Sequence, residues 1–469
     1  MTQRASFYRS GPLLKVRRCQ QGQALIYGIF VMVGGLAALF FLFNTGQLTR
    51  EKTKLVNTAD AVAYSAGVMN ARALNYEAYA NRAMVANTVA IAQLVSVSSW
   101  VQYVDNLANY GFTAGNPFKY SAFYPSYLAA QSAGGSLPDP DDLGALAETS
   151  DNIIRNVLMN AQQVAYVGLI PARLQVMNDV ANANYNNDGL VTVEQLTLPT
   201  NDFTGFVTRY SDNERTRFAE VAKTSAFRDK FLPKRSWTLP GLYSDCGGAT
   251  ATGRVDFLTR RGGTELLGFD EWKAMDTLSE KRWVPKSKTD VLCQAIAETP
   301  NGWGAQTAAD SPTLDLDPTH YDFSLPINPG SSALAIATSS DAWDYSGLPN
   351  FYDLSESARG QDDPRLQFAI RVLRDRNQTL TSEGRSAFPN GARLNTYRAN
   401  TAGGSQFVAV SVSEVFFQRP AAASENIYGQ EIGKSREIGS LFNPYWQVRL
   451  MYSVDSINQA QALQGAVLK

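Results

Sequence analysis

Ala24-Leu-Ile-Tyr-Gly-Ile-Phe-Val-Met-Val-Gly-Gly-Leu-Ala-Ala-Leu-Phe-Phe-Leu-Phe43 is a run of about twenty residues without a charge. At 1.5 Å per residue it extends about 30 Å, the thickness of a bilayer's hydrocarbon core. It reads as a transmembrane helix. Arg4, Arg9, Lys15, Arg17 and Arg18 precede it, and no Asp or Glu comes before Glu51. The positive-inside rule therefore keeps the N-terminus in the cytoplasm and exports everything after Asn44. A cleaved secretory signal also begins basic and turns apolar, but its apolar core is about 7–15 residues long. This run is longer, ends in no small-x-small cleavage site and passes directly into a helical pattern. An uncleaved anchor is the expectation. Gly34 and Gly35 inside it would let another span approach closely, although glycine is common in such helices.

From Gln47 to Leu107 the chain has no proline. Leu48, Leu55, Ala59, Val62, Ala66, Met69, Ala73, Tyr76, Ala80 and Ala83 follow one another by threes, fours and one seven, the spacing of a helical stripe. Alanine on such a stripe admits a second backbone. The face made by Leu55, Ala59, Val62, Ala66, Met69 and Ala73 is a candidate interaction surface, for the chain's own body or for a neighbouring subunit.

Beyond the anchor lie roughly 420 residues, more than one ordinary domain needs. The formal net charge of −1 gives no sign of a nucleic-acid-binding face. Of the three cysteines, Cys19 falls on the cytoplasmic side, where thiols stay reduced. Cys246 and Cys293 are both exported and are candidates for a disulfide, with two separate buried thiols as the alternative.

The chain divides into a basic tail (1–22), the span (23–44), a helical stem (45–110), an α+β region (111–300), a Pro/Asp/Gly/Ser-rich loop or linker (301–341) and a strand-rich C-terminal region (342–469). Further helices are expected near 143–180, bent at Pro171, and near 213–231. A hairpin is expected around Arg261-Gly-Gly, and strands near 366–372, 406–417 and 446–454. Helices first and strands later make an α+β fold whose sheets are antiparallel.

Chemistry is sparsely signalled. The single histidine, His320, excludes sites needing several imidazoles and stands in a polar loop-like stretch. No nucleophile elbow, phosphate loop or His-Glu-x-x-His pattern occurs. Catalysis by carboxylates alone is the one enzymatic route left open. No cofactor is implied.

Asn184, Asn186 and Asp188 alternate as in a calcium loop, with Gly189 sixth and Val191 eighth. However, Glu194 arrives one place early, Gln195 holds the twelfth position, and a plain turn is the competing reading. Asp353-Leu-Ser355-Glu-Ser357 resembles half of an adhesion-type metal motif but follows a proline-containing stretch with no apolar strand. The cluster Tyr120, Phe123, Tyr124 and Tyr127 is either a sticky surface or packing.

The basic leader, Gly22-Gln-Ala, the span and then Lys54-Leu-Val-Asn-Thr-Ala-Asp60-Ala-Val-Ala-Tyr-Ser-Ala-Gly67 together resemble the N-terminal region of the TadE/TadG-like proteins of Flp (Tad) pilus assembly. Glu271-Trp-Lys-Ala-Met-Asp276 and Leu441-Phe-Asn-Pro-Tyr-Trp-Gln-Val-Arg-Leu450 look like segments of that group's larger members. The resemblance implies a non-enzymatic structural protein of the bacterial inner membrane, with a periplasmic body. Its partners would be other pilus-assembly proteins or pilins, in a homo- or hetero-oligomer. A minor pilin or adhesin built into the filament is the alternative reading, and a membrane-tethered periplasmic enzyme is a second.

The chain departs from the processed members at one place. Those carry glutamate five residues after the cleaved glycine, whereas Tyr27 stands five residues after Gly22. That departure favours a retained tether over cleavage and filament packing.

Overall fold

The computed structural model describes residues 21–110, 122–133, 136–186, 188–196, 203–241, 255–285, 293–310, 328–339, 341–381, 384–385, 406–418, 439–455 and 457–458. Its spine is one helix, α1 (Gln21–Tyr110), in which span and stem are continuous. The absence of proline permits that length, because no interior carbonyl loses its partner N–H.

The other helices are α2 (Tyr124–Ala133), α3 (Pro140–Asn152), α4 (Asn160–Asn184), α5 (Phe203–Phe206), α6 (Thr216–Ala226), α7 (Pro329–Ala337) and α8 (Glu356–Arg359). A π-helical turn, Ile153–Met159, joins α3 to α4. Pro140 occupies the first turn of α3 behind the Asp139 cap, where its missing N–H costs nothing. Pro171 lies inside α4, which continues through it.

The strands are β1 (Thr192–Gln195), β2 (Val207–Tyr210), β3 (Trp237–Pro240), β4 (Phe257–Leu267), β5 (Glu271–Pro285), β6 (Cys293–Ala309), β7 (Phe351–Leu354), β8 (Leu366–Asp375), β9 (Leu380–Thr381), β10 (Gly384–Arg385), β11 (Gln406–Phe417) and β12 (Trp446–Met451). Every pairing between these strands is antiparallel, in two four-stranded sheets ordered β1-β8-β11-β12 and β3-β4-β5-β6 and two small ones, β2-β7 and β9-β10. The mixed helical and antiparallel-sheet class expected from the sequence is the one observed.

The core is strung along α1. Nearest the span, Leu55, Ala59, Val62, Ala63 and Ala66 meet Met177 and Ala181 of α4 and Phe368, Ile370 and Val372 of β8. Next, Ala71 and Leu74 join Phe203, Phe206, Tyr352, Val415 and Trp446. Farther on, Met84, Ile91 and Val95 meet Phe218, Trp272, Tyr345 and Phe351. At the far end Tyr103 and Leu107 pack with Leu258 and Leu278 of the second sheet and Tyr127 of α2.

Two local readings of the sequence are corrected. Arg261-Gly262-Gly263 is no hairpin turn: β4 runs straight through it in register with Thr277, Asp276 and Met275 of β5. A Cβ on Gly262 would stand 2.3 Å from Asp276 Oδ1, so the glycine makes room for a carboxylate. Both described ends of the 301–341 stretch, expected as a loop or linker, hold regular elements. Residues 301–309 complete β6, residues 329–337 form α7, and 311–327 lie outside the described residues.

The loop-like composition of β6 reflects the nearness of α1. A Cβ on Gly304 would lie 2.2 Å from the Ser99 carbonyl oxygen and 2.5 Å from the Tyr103 nitrogen, both backbone atoms that cannot step aside. Gly304→Ala is therefore expected to prise β6 from α1 and to lower stability by about 3 kcal/mol, the upper range for overpacking. A urea midpoint unchanged from wild type would contradict this close approach.

Candidate functional site: the bare span and the clamped stem

No residue from Ala24 to Phe43 is buried. Leu25, Tyr27, Phe30 and Met32 are each about 70% exposed, and apolar side chains point outward all round the helix. A helix apolar on every side belongs in an apolar medium. This part of α1 is long and apolar enough to cross a membrane. A Cβ at Gly34 or Gly35 meets nothing within 4 Å, so both glycines face open surroundings in the isolated chain. Just beyond the span, Thr45, Thr49 and Thr53 each donate to the carbonyl four residues back, at 2.8–2.9 Å.

The stem changes character at Glu51. Leu55, Ala59, Val62 and Ala66 are buried and Met69 and Ala73 partly so, all six against the chain's own α4 and sheets. Tyr76 departs from the stripe read in the sequence and is 42% exposed. In its place the buried line runs through Asn70, Leu74, Glu77, Asn81 and Met84, where three polar residues sit fully inside.

Buried polar groups need partners, and the stem finds them on other elements, both backbone and side chain. Asn81 Nδ2 donates to the carbonyls of Tyr352 and Leu441, both at 2.7 Å. Asn75 exchanges two hydrogen bonds of 2.9 Å with the backbone of Trp446, as a neighbouring strand would. Arg173 of α4 donates to Asn70 Oδ1 at 2.8 Å. Ser411 of β11 donates to Asp60, the acid of the Asn57-Thr-Ala-Asp60 segment, at 2.7 Å. Gly67 lies under β11 and β12, where a Cβ would stand 2.5 Å from Val448 Cγ2.

The strongest clamp joins the far end of the stem to the second sheet. Asp276 of β5 is fully buried and accepts from Arg235 Nε and Nη2 at 3.0 and 2.8 Å, Arg260 Nη2 at 2.7 Å and Ser99 Oγ at 2.9 Å. The Arg260 guanidinium also lies 3.7 Å above the Tyr103 ring. Two cations thus share one carboxylate, and an aromatic face takes up part of the excess charge. The segments Glu271–Asp276 and Leu441–Leu450 converge on α1 through Ser99, Asn81 and Asn75.

The remaining sequence candidates fall as follows. Asp188 is ion-paired with Lys54 at 2.6 Å, while Glu194 is held by Arg371 of β8 at 2.6 Å through Nε. Asn184 Nδ2 donates to the Val180 carbonyl at 2.9 Å, and the Asn186 side chain is exposed. The two acids of the calcium-loop pattern are therefore engaged by separate cations. Among the described residues no group of three or more His, Cys, Asp or Glu is arranged to hold a metal ion.

Asp353 does lie on a short strand, β7, contrary to the sequence reading. Its buried carboxylate faces Arg217 at 2.8 Å and the Leu441 N–H at 3.1 Å, while Ser355 accepts from the Ala358 N–H to cap α8. Burial pushes the Asp353 acid up, with Arg217 opposing. Phe123 packs on Trp237 and Tyr127 is buried with Tyr103 and Leu107. Cys19, Tyr120, Cys246 and His320 lie outside the described residues, as does the side chain of Cys293.

Geometry alone defines a helix-spined α+β protein with a bare apolar segment at one end of the spine and a polar-clamped body around the rest. Residues 22–73 match the family model described as putative Flp pilus-assembly TadE/G-like. The matched segment contains the bare span and the stem as far as Ala73. No curated protein matches the chain, and no solved structure does. The matching description is one of pilus assembly and names no enzyme class.

Proposed function

We propose that the chain is a non-enzymatic structural component of Tad/Flp-type pilus assembly. It is held in the bacterial inner membrane by residues 24–43, with the basic tail in the cytoplasm and the body in the periplasm. The observation that carries this reading is the coincidence of the family match, residues 22–73, with the bare span and the base of the stem. The work of such a protein is contact. The span retains it, α1 holds the body upright on the membrane, and exposed helix faces and sheet edges meet other assembly proteins or pilins. Gly34 and Gly35 offer a smooth face for a neighbouring span.

Deletion of the gene is expected to abolish or sharply reduce surface pili, counted by electron microscopy, and a plasmid copy to restore them. Unchanged piliation would refute the assignment. Protease added to spheroplasts is expected to digest the region after Asn44 and spare the tail, and the reverse pattern would refute the orientation. Recovery of the protein in sheared filaments would make it an incorporated subunit instead.

A further inference from the structure

The outward face of α4 is apolar and uncharged, and among the described residues nothing covers it. Val157, just ahead of α4, and Val164, Val167, Ile170 and Leu174 within it are 44–72% exposed and lie at helical spacings on the side turned from α1. Exposed Asn156, Asn160, Gln163, Gln175 and Asn178 frame them. Between Arg155 and Asp179 the sole charged residue is Arg173, and it is buried against Asn70 and the Phe368 ring. A solvated helix face normally carries charge, and an apolar patch of about 300 Å² is the size of the largest on a typical monomer, where it is often functional.

Three features choose the occupant. The first is orientation. Along α4, Gln162 meets Asn81, Arg173 meets Asn70, and Asn184 borders a pocket shared with Thr49, Arg50 and Lys54, so α4 runs antiparallel to α1 and down toward the span. A second copy anchored in the same membrane presents the same strip at the same height and in the same direction. The second is chemistry. Asn and Gln each carry donor and acceptor, so an amide rim pairs with its own copy across a two-fold axis without like-charge repulsion. The third is size. Residues 157–178 make a strip about 32 Å long and about 10 Å wide, so a pair covers about 600 Å² in all, half of the roughly 1,200 Å² a freely diffusing complex needs. That is too little for a soluble partner, but confinement in a membrane raises the effective concentration of a tethered one.

We infer that α4 pairs in parallel with α4 of a second copy of this chain, about an axis normal to the membrane. The inference rests on the membrane tether of the proposed function. Three successive helix contacts at about 8–10 Å place the two α1 helices roughly 25–30 Å apart. The spans of the pair therefore do not touch, and Gly34 and Gly35 stay open to other helices.

Full-length Val164→Cys, Gly34→Cys and Thr224→Cys variants, each carried on two plasmids with different tags, are oxidised in native membranes. Val164→Cys is expected to give a disulfide-linked species containing both tags, severalfold above wild type, while Gly34→Cys and Thr224→Cys remain at the wild-type level. Adding Val167→Glu, an exposed position that folding tolerates, is expected to cut the Val164→Cys product severalfold. A membrane-bound chain that gives no product above Thr224→Cys would overturn the pairing alone. So would a product that joins it to a different protein. Recovery of the chain in the soluble fraction would overturn the tether, and the pairing with it.

Discussion

Asp276→Ala is expected to lower the stability of the body by about 3–5 kcal/mol, the cost of removing the carboxylate from a buried ion cluster. Arg235 and Arg260 would remain with their guanidinium groups packed at the Asp276 site and against Tyr103, and Ser99 would keep only the Gly304 carbonyl as acceptor, at 3.1 Å. The loss is mainly the penalty of the two stranded cations. Replacing the whole cluster tests that account: Asp276→Leu with Arg235→Met and Arg260→Met is expected to recover most of the stability, because apolar groups of similar volume carry no desolvation cost. The readout is the urea midpoint of the detergent-solubilised chain, followed by tryptophan fluorescence, with Trp272 on β5, the strand of Asp276, and Trp303 on the neighbouring β6. A single-variant loss under about 1 kcal/mol would show that the cluster is hydrated and does not bind sheet to stem.

The parts of this fold legible in the sequence are those with one strong physical cause. The charge-free run and the absence of proline give α1 over nearly its whole length. Alternation gives β8 and β12, and a β-rich run gives β11, close to their observed bounds, with β12 ending at Met451, a little short of the expected limit. Where two causes share a residue type, composition misleads. Gly262 and Gly263 carry the signature of a turn, but the first is needed because Asp276 lies against it. Asn301, Gly302 and Gly304 carry the signature of a loop, but they line a strand pressed on a helix backbone.

The clamp residues were hidden for a related reason. Asn70, Glu77 and Asn81 fall at spacings of seven and four on the buried line through Leu74 and Met84, but an apolar-stripe reading passes over polar residues and slides to Tyr76. Polar groups recurring on the stripe, in step with Leu74, were the available signal. The partners of those groups were not readable at all. The nearest in sequence to Asn81 is Gln162, and Tyr352 and Leu441 lie far beyond it.

One member of that line is an acid. Glu77 is fully buried between α1 and α4, and neither carboxyl oxygen makes a well-formed hydrogen bond among the described residues. Burial pushes its pKa from 4.5 to about 8, with the Gln162 amide pulling the other way. Tyr352 faces it from β7 and is itself raised, by burial first, then opposed by Arg209 and assisted by the Glu77 charge. Glu77 therefore holds a proton in the folded chain at neutral pH that it releases on unfolding.

The sign follows from the proton count. Between pH 4.5 and about 8 the native state binds the extra proton, so stability falls as pH rises through that window and levels off above it. Across the full window the loss amounts to roughly 5 kcal/mol as an upper bound, at 1.36 kcal/mol for each pH unit of displacement. Glu77→Gln keeps the shape and removes the titration. Relative to wild type it is expected to change little at pH 4.5 and to be more stable by several kcal/mol at pH 9, with the two urea-midpoint curves diverging steadily between. Curves that stay parallel over that range would show that Glu77 is ionised in the folded protein. In that case a cation or water reaches its carboxylate, and the line of polar clamps on α1 includes a charge that the stem accommodates without cost.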